Sequence, residues 1–281
     1  MVVVLGANGQ LGKILGEVLD GGIKSFGREE LDVTKTSDLN EKLKDLKSGD
    51  FIINASAYTN VDGAESDKAS AFAINRDAIN NLLKLSQNKK LKFIHISTDY
   101  VFDGESNLPI NELEKKKPLG IYGESKSLGE DELLNSDFKN YVIIRTSWLY
   151  SEYNKNFLKT MISLRKKEEL KVVWDQIGTP TYARDLAKAI KNTIENFDSV
   201  SGEVFHFSNE GVASWYDFAC EIFDLTNSKV KVVPIRSEEY PTPAKRPKYS
   251  VLDKSKIKKA LNIEIPHWKE GLKECLKKLS Y

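Results

Sequence analysis

Tyr122-Gly-Glu-Ser-Lys126 places a phenol four residues before an ammonium. On a helix that spacing puts both groups on one face, a turn apart. A nearby ammonium favours phenolate over phenol and brings an acid whose pKa starts near ~10 toward working pH; three units of such tuning amount to about 4 kcal/mol. The pair can therefore act as a proton donor with its own electrostatic tuner. Y-x-x-x-K alone also describes an ordinary helix surface, and its weight comes from a second segment, Ile96-Ser-Thr-Asp99-Tyr-Val-Phe-Asp-Gly104. There an apolar run ends in hydroxyls and a carboxylate, as at the carboxyl edge of a parallel sheet, where ligands bind. Thr98 can hydrogen-bond a carbonyl or the phenol, and Asp99 can accept from a ligand's hydroxyls. Tyr122, Lys126 and Thr98 form the candidate catalytic set: an acid, its tuner and a hydroxyl that polarises the reacting group.

A third segment, Gly6-Ala-Asn-Gly9-Gln-Leu-Gly12, has the form G-x-x-G-x-x-G directly after the apolar run Val2–Leu5 and at the start of a helical pattern. Glycines let the chain turn sharply and approach a pyrophosphate, and the helix N-terminus aims N–H groups and a positive dipole end at the anion. Gly6, Asn8, Gly9, Gln10, Leu11 and Gly12 are the expected dinucleotide contacts. The second strand ends Ser25-Phe-Gly-Arg28, with a guanidinium where a carboxylate would bind the ribose 2′-hydroxyl of NAD. Arg28 favours a 2′-phosphate, so NADPH is the expected cofactor, with NADH as the alternative. Asp32 and Val33 are placed at the adenine.

The elements that must position these residues follow from hydrophobic periodicity. Val2–Leu5, Ile23–Phe26, Phe51–Asn54, Lys92–Ser97 and Tyr141–Thr146 read as strands, and Leu11–Leu19, Ser37–Leu46, Lys68–Leu85 and Lys126–Leu134 as crossover helices. Farther on come helices at 155–168 and 184–196, strands at Leu170–Trp174 and Val204–Phe207, and a helix started by the box Ser214-Trp-Tyr-Asp217. Lys-rich helical patterns at 253–261 and 268–279 close the chain. The expected architecture is α/β: a Rossmann-like doubly wound parallel sheet, built from 1–150 and about 181–208, with a smaller C-terminal α/β lobe for substrate from about 151–180 and 209–281.

At 281 residues the chain has material for about two domains of ~150 residues. Lys plus Arg number 42 against 41 Asp plus Glu, so no net field would hold it on nucleic acid or an anionic membrane. No apolar run approaches the ~18 residues of a spanning helix, and no cationic leader precedes the first strand. Cys220 and Cys275 lack C-x-x-C spacing, which fits a reducing, cytoplasmic setting. His95 and His206 fall inside strand patterns and read as satisfied sheet residues, and Trp215 reads as core.

The motifs together resemble the extended short-chain dehydrogenase/reductases. Asn54-Ala-Ser-Ala-Tyr-Thr-Asn-Val-Asp62 through Glu65, Ser97–Phe102, Arg145-Thr-Ser-Trp148, Asp175–Pro180 and Tyr240–Pro247 resemble, within them, the dTDP-4-dehydrorhamnose reductases. The resemblance implies hydride transfer from NAD(P)H to C4 of dTDP-4-dehydro-β-L-rhamnose while Tyr122 protonates the C4 oxygen. It further implies that Lys126 holds the nicotinamide ribose, that Ala57, Tyr58 and Thr59 touch the cofactor, and that Thr98, Asp99 and Trp148 touch the sugar nucleotide. Arg246, fixed between prolines, is a candidate clamp for the diphosphate or a brace for its own loop. Some relatives bind Mg²⁺ at a dimer interface. Glu17, the acid of the first helix, gives no clear match, so no catalytic metal is expected, and a homodimer stays open. Two other functions stay open too: a dinucleotide-binding regulatory subunit like that of methionine adenosyltransferase, and a nucleotide-sugar epimerase. The latter would retain its cofactor through turnover.

Overall fold

The computed structural model describes residues 1–281. Its strands are β1 (Val2–Leu5), β2 (Ile23–Phe26), β3 (Phe51–Asn54), β4 (Lys92–Thr98), β5 (Tyr141–Thr146), β6 (Leu149–Tyr150), β7 (Glu169–Val173), β8 (Ile177–Gly178), β9 (Thr181–Tyr182), β10 (Glu203–Phe207), β11 (Ala213–Ser214) and β12 (Lys231–Ile235). The helices are α1 (Gln10–Val18), α2 (Thr36–Lys42), α3 (Val61–Ser66), α4 (Lys68–Phe72), α5 (Ala78–Lys89), α6 (Ile121–Leu134), α7 (Phe157–Ser163), α8 (Ala183–Glu195), α9 (Phe197–Val200), α10 (Trp215–Leu225), α11 (Ser255–Leu261) and α12 (Trp268–Lys278).

Six strands form one parallel sheet in the order β10-β5-β4-β3-β1-β2. Helices cover both faces, so successive residues of a strand are buried on opposite sides. Val4, Ile53, Ile94, Val142 and Ile144 pack toward α1 and α8, while Val3, Leu5, Ile52, Phe93 and Ile143 pack toward α2, α5 and α6. The chain leaves β1 toward β2 and returns on the other side to β3, and this reversal opens a crevice beyond the carboxyl ends of β1 and β3. Gly6, the first residue past β1, faces Ala55 and Ser56, the first two past β3.

A separate core joins Leu158, Met161, Phe218, Ile222, Trp268 and Leu272 from α7, α10 and α12, beside the parallel pair β7 and β12. Segment 255–265 departs from the expected lobe of 209–281. Ile257, Leu261 and Ile265 pack with Phe205 in the core of the main sheet, because α11 lies along β10. β12 was also absent from the sequence reading: Pro234 interrupts Lys231–Ile235, and a strand whose residues are only partly buried shows little alternation.

Candidate active site

A cavity of about 920 Å³ runs over the carboxyl edge of the sheet. It is lined by Gly6, Asn8, Gly9, Gln10, Leu11, Arg28, Asp32, Val33, Ala57, Tyr58, Thr59, Thr98, Asp99, Tyr122, Lys126 and Trp148. Of the residues singled out in the sequence, Gly12 and Arg246 do not line it.

At one end lies the glycine turn. Gly6 has φ +85°, and a Cβ there would stand 2.7 Å from the Ser56 nitrogen. A Cβ on Gly12 would stand 2.2 Å from the Gly6 carbonyl, which makes Gly12 the packing glycine that lets α1 approach the turn rather than a ligand contact. α1 follows Gly9 with no side chain capping its first amides, so those donors remain free for an anion. Arg28 is exposed at the rim. The Asp32 carboxylate is occupied by its own turn: it accepts from the Thr34 hydroxyl at 2.7 Å and amide at 3.0 Å, and that hydroxyl holds its pKa low. These residues fit a bound dinucleotide, because the cradle at Gly6 closes on a side chain as small as a methyl.

The opposite wall carries the acid. α6 begins at Ile121, five residues before the predicted start, and its first amide donates to Glu65 Oε1 at 2.8 Å. A carboxylate from α3 thus caps the helix that carries Tyr122 in its first turn. Tyr100 meets the Tyr122 ring edge-on, with centroids 5.4 Å apart. The phenol differs from the sequence expectation. Burial pushes its pKa up to about 12, opposed by the neighbouring Thr98 hydroxyl and reinforced by Asp99. Lys126 does not lower it; its amine donates to the Ile96 carbonyl at 2.6 Å and faces His95 Nε2 at 3.4 Å. Lys126 is 2% exposed, and that burial brings its own pKa down to about 8. Asp99, also 2% exposed, accepts from the Thr98 hydroxyl at 3.0 Å, and burial pushes its pKa up to about 6 against the Thr98 and Ser250 hydroxyls.

Beneath this wall, Glu130 lies on the same helix face as Tyr122 and Lys126. It is bidentate with Arg145, at 2.9 Å to Nε and 2.7 Å to Nη2, and both side chains are buried. Arg145 also faces His206 Nε2 at 3.3 Å, whose Nδ1 is 3.0 Å from the Ile110 carbonyl. His206 is thus satisfied, and burial followed by Arg145 lowers its pKa to about 3.

Several residues in or behind the cavity wall carry no motif of their own in the sequence. Asn75 sits in a π-helical turn, Ala73–Asp77, a local widening that leaves no mark on periodicity. Its amide accepts from Tyr58 N at 2.9 Å and donates to Tyr58 O at 3.1 Å and to Ser125 Oγ at 3.0 Å, so it ties segment Ala57–Thr59 to α6. Asn154 donates to the Asn8 carbonyl at 2.7 Å and Asn156 to Gln10 Oε1 at 2.8 Å, which folds the chain after β6 over the glycine turn. The density of Asn and Ser at 151–156 is the clue the sequence offered. Trp215 is a correction in part: it packs against the core of α7, α10 and α12 and also lines the cavity. Its indole lies flat on Trp148, with centroids 3.6 Å apart and planes 6° apart. Trp148 adopts φ +45°, rare for a bulky residue and typical of functional strain. Arg246 is the other correction. Nη1 and Nη2 reach Asp62 at 3.0 and 2.8 Å, and Nη1 also meets Thr242 and the Ala244 carbonyl, so the guanidinium braces its Pro-rich loop on α3 instead of projecting into the cavity.

A doubly wound sheet with a glycine turn at its switch point and a Thr, Tyr and Lys cluster opposite defines an extended short-chain dehydrogenase/reductase. The family model described as RmlD substrate binding domain matches residues 1–281, and the chain belongs to that family. A dTDP-4-dehydrorhamnose reductase of Sinorhizobium fredii is 38% identical over 286 aligned residues, covering 98% of this chain and 96% of that protein. The crystal structure of a dTDP-4-dehydrorhamnose reductase from Clostridium acetobutylicum superposes with a TM-score of 0.93 at 40% identity, covering 100% of this chain and 99% of that one. The structure of the Bacillus anthracis reductase in complex with NADP also gives 0.93, at 41% identity and 99% and 98% coverage.

Proposed function

We propose that this protein reduces the C4 ketone of dTDP-4-dehydro-β-L-rhamnose to dTDP-L-rhamnose at the expense of NADPH. The observation that carries the reading is one continuous cavity with a glycine turn and Arg28 at one end and Thr98, Asp99, Tyr122 and Trp148 at the other. The relatives named above, one of them bound to NADP, supply the substrate and cofactor class.

The Gly9–Leu11 amides would hold the pyrophosphate, Arg28 the 2′-phosphate, and Ala57–Thr59 and Lys126 the nicotinamide half. When bound, the reduced cofactor supplies the hydride that reaches C4. Tyr122 holds a proton on its phenol oxygen at neutral pH, as its raised pKa requires, and delivers it to the C4 oxygen. Thr98, beside the phenol, would turn its hydroxyl hydrogen from Asp99 to donate to the same oxygen. Asp99, at the cavity wall, would accept from a sugar hydroxyl, and the Trp148 and Trp215 indoles form the apolar wall.

The test is incubation with a panel of 4-keto nucleotide sugars and each reduced cofactor, with NMR of the product. NADPH should be consumed only when the keto sugar is present, and in equal amount to the alcohol formed. Interconversion without net consumption would make the protein an epimerase, and cofactor binding with no turnover of any sugar would make it a binding module.

A further inference from the structure

We propose that His95 is a positioning residue for Lys126: Asn54 fixes the tautomer of the imidazole so that the ring presents an N–H to the lysine amine and disfavours its ammonium form. The proposal rests on the placement of Lys126 in the reductase site.

The hydrogens can be assigned from one end of a chain of contacts. The Ser56 backbone amide, whose hydrogen cannot move elsewhere, donates to Asn54 Oδ1 at 3.1 Å, and the Ser56 hydroxyl bonds the same oxygen. Asn54 Oδ1 is therefore the acceptor and Nδ2 the donor, and Nδ2 faces His95 Nδ1 at 3.3 Å. The opposite amide orientation would set N–H against N–H at Ser56. A ring nitrogen that accepts carries no hydrogen, so neutral His95 bears its proton on Nε2. That atom faces Lys126 Nζ at 3.4 Å. An N–H pointing at the lysine nitrogen is favourable only when Nζ offers a lone pair, and the remaining amine hydrogens are free to donate to the Ile96 carbonyl at 2.6 Å. Asn54, His95 and Lys126 are all at most 2% exposed, so no water shell compensates a mismatch.

The surrounding charges agree. His95 is held neutral by burial and then by Lys126, its pKa well below the usual value. Lys126 is lowered by burial, and Glu130, one turn on along α6, pulls the other way. The Glu130 charge is met by Arg145 and Lys116. Tyr122 shares the helix face, and Asp99 acts on Tyr122 from β4. Hydroxyl acceptors of a bound ribose would favour the ammonium, so filling the site would tighten the hold of Lys126 on its proton.

Nitrogen NMR of the ligand-free protein labelled at histidine should show His95 with a bare Nδ1 and a protonated Nε2, unchanged across the range where histidine usually titrates. A protonated Nδ1, or an imidazolium forming near 6.5, would overturn the proposal. This readout needs no substrate, so it stands or falls separately from the reductase assignment. His95→Asn keeps an acceptor for Asn54 and removes the donor facing Lys126. For the wild type, kcat/KM for NADPH should fall as pH rises through about 8. In H95N that limb should move up by roughly one pH unit, a tenfold change in proton concentration. A folded H95N with an unmoved limb would overturn the proposal, and if H95N does not fold the NMR result alone decides.

Discussion

Two buried carboxylates, Glu130 on the Tyr122 helix and Asp99 just past β4, have opposite chemistry. Glu130 meets Arg145 through both oxygens, and although its burial works the other way, the guanidinium holds its pKa below the usual value. Asp99 has only neutral hydroxyls, Thr98 and Ser250, beside it and no cation, and burial raises its pKa to about 6. Burial does not decide the character of a buried acid; the partner does. Glu130 fastens α6 to β5 and spends its charge within the protein. Asp99 stands at the cavity wall with no cation to answer its charge.

The contrast can be broken by substitution. Glu130→Ala strands Arg145 in the core and should destabilise the fold by about 3–5 kcal/mol, read by urea unfolding; a loss below ~1 kcal/mol would mean that the pair does not fasten the helix. Tyr122→Phe touches neither carboxylate and should lower kcat by about 10²–10⁴-fold while leaving the unfolding midpoint in place. Asp99→Asn should do the reverse of E130A, raising stability at neutral pH by up to about 2 kcal/mol, since a pKa raised in the folded state penalises folding once the group ionises. That penalty should set in as pH rises through about 4 and be complete above about 6, and the same variant should raise KM for the sugar. The Glu130 contribution has the opposite sign: present at neutral pH and lost as pH falls below the unfolded value of about 4.5. Arg246→Ala, which removes a partly exposed brace, should cost at most about 1 kcal/mol and leave KM for the nucleotide sugar unchanged.

The sequence showed much of the sheet and the reacting residues because both rest on local rules. Strands buried on both faces read as apolar runs, the glycine turn has fixed spacing, and Tyr122 and Lys126 announce each other through helical geometry. What escaped it depends on contacts far apart in the chain. The state of Tyr122 is set by burial, Thr98 and Asp99. The role of Arg246 is set by Asp62, 184 residues away. Asn75 acts through a π turn, and Trp215 was read as core alone because an aromatic at a helix start looks the same whether or not it also faces a cavity.

The stacked indoles join the two halves of the molecule, Trp148 from the loop past β5 and Trp215 from the first turn of α10. Their rings form a coupled chromophore set into the cavity wall. Ligand entry or any sliding of the lobe against the sheet must change their overlap, so near-ultraviolet circular dichroism and intrinsic fluorescence report occupancy of this protein without an added label.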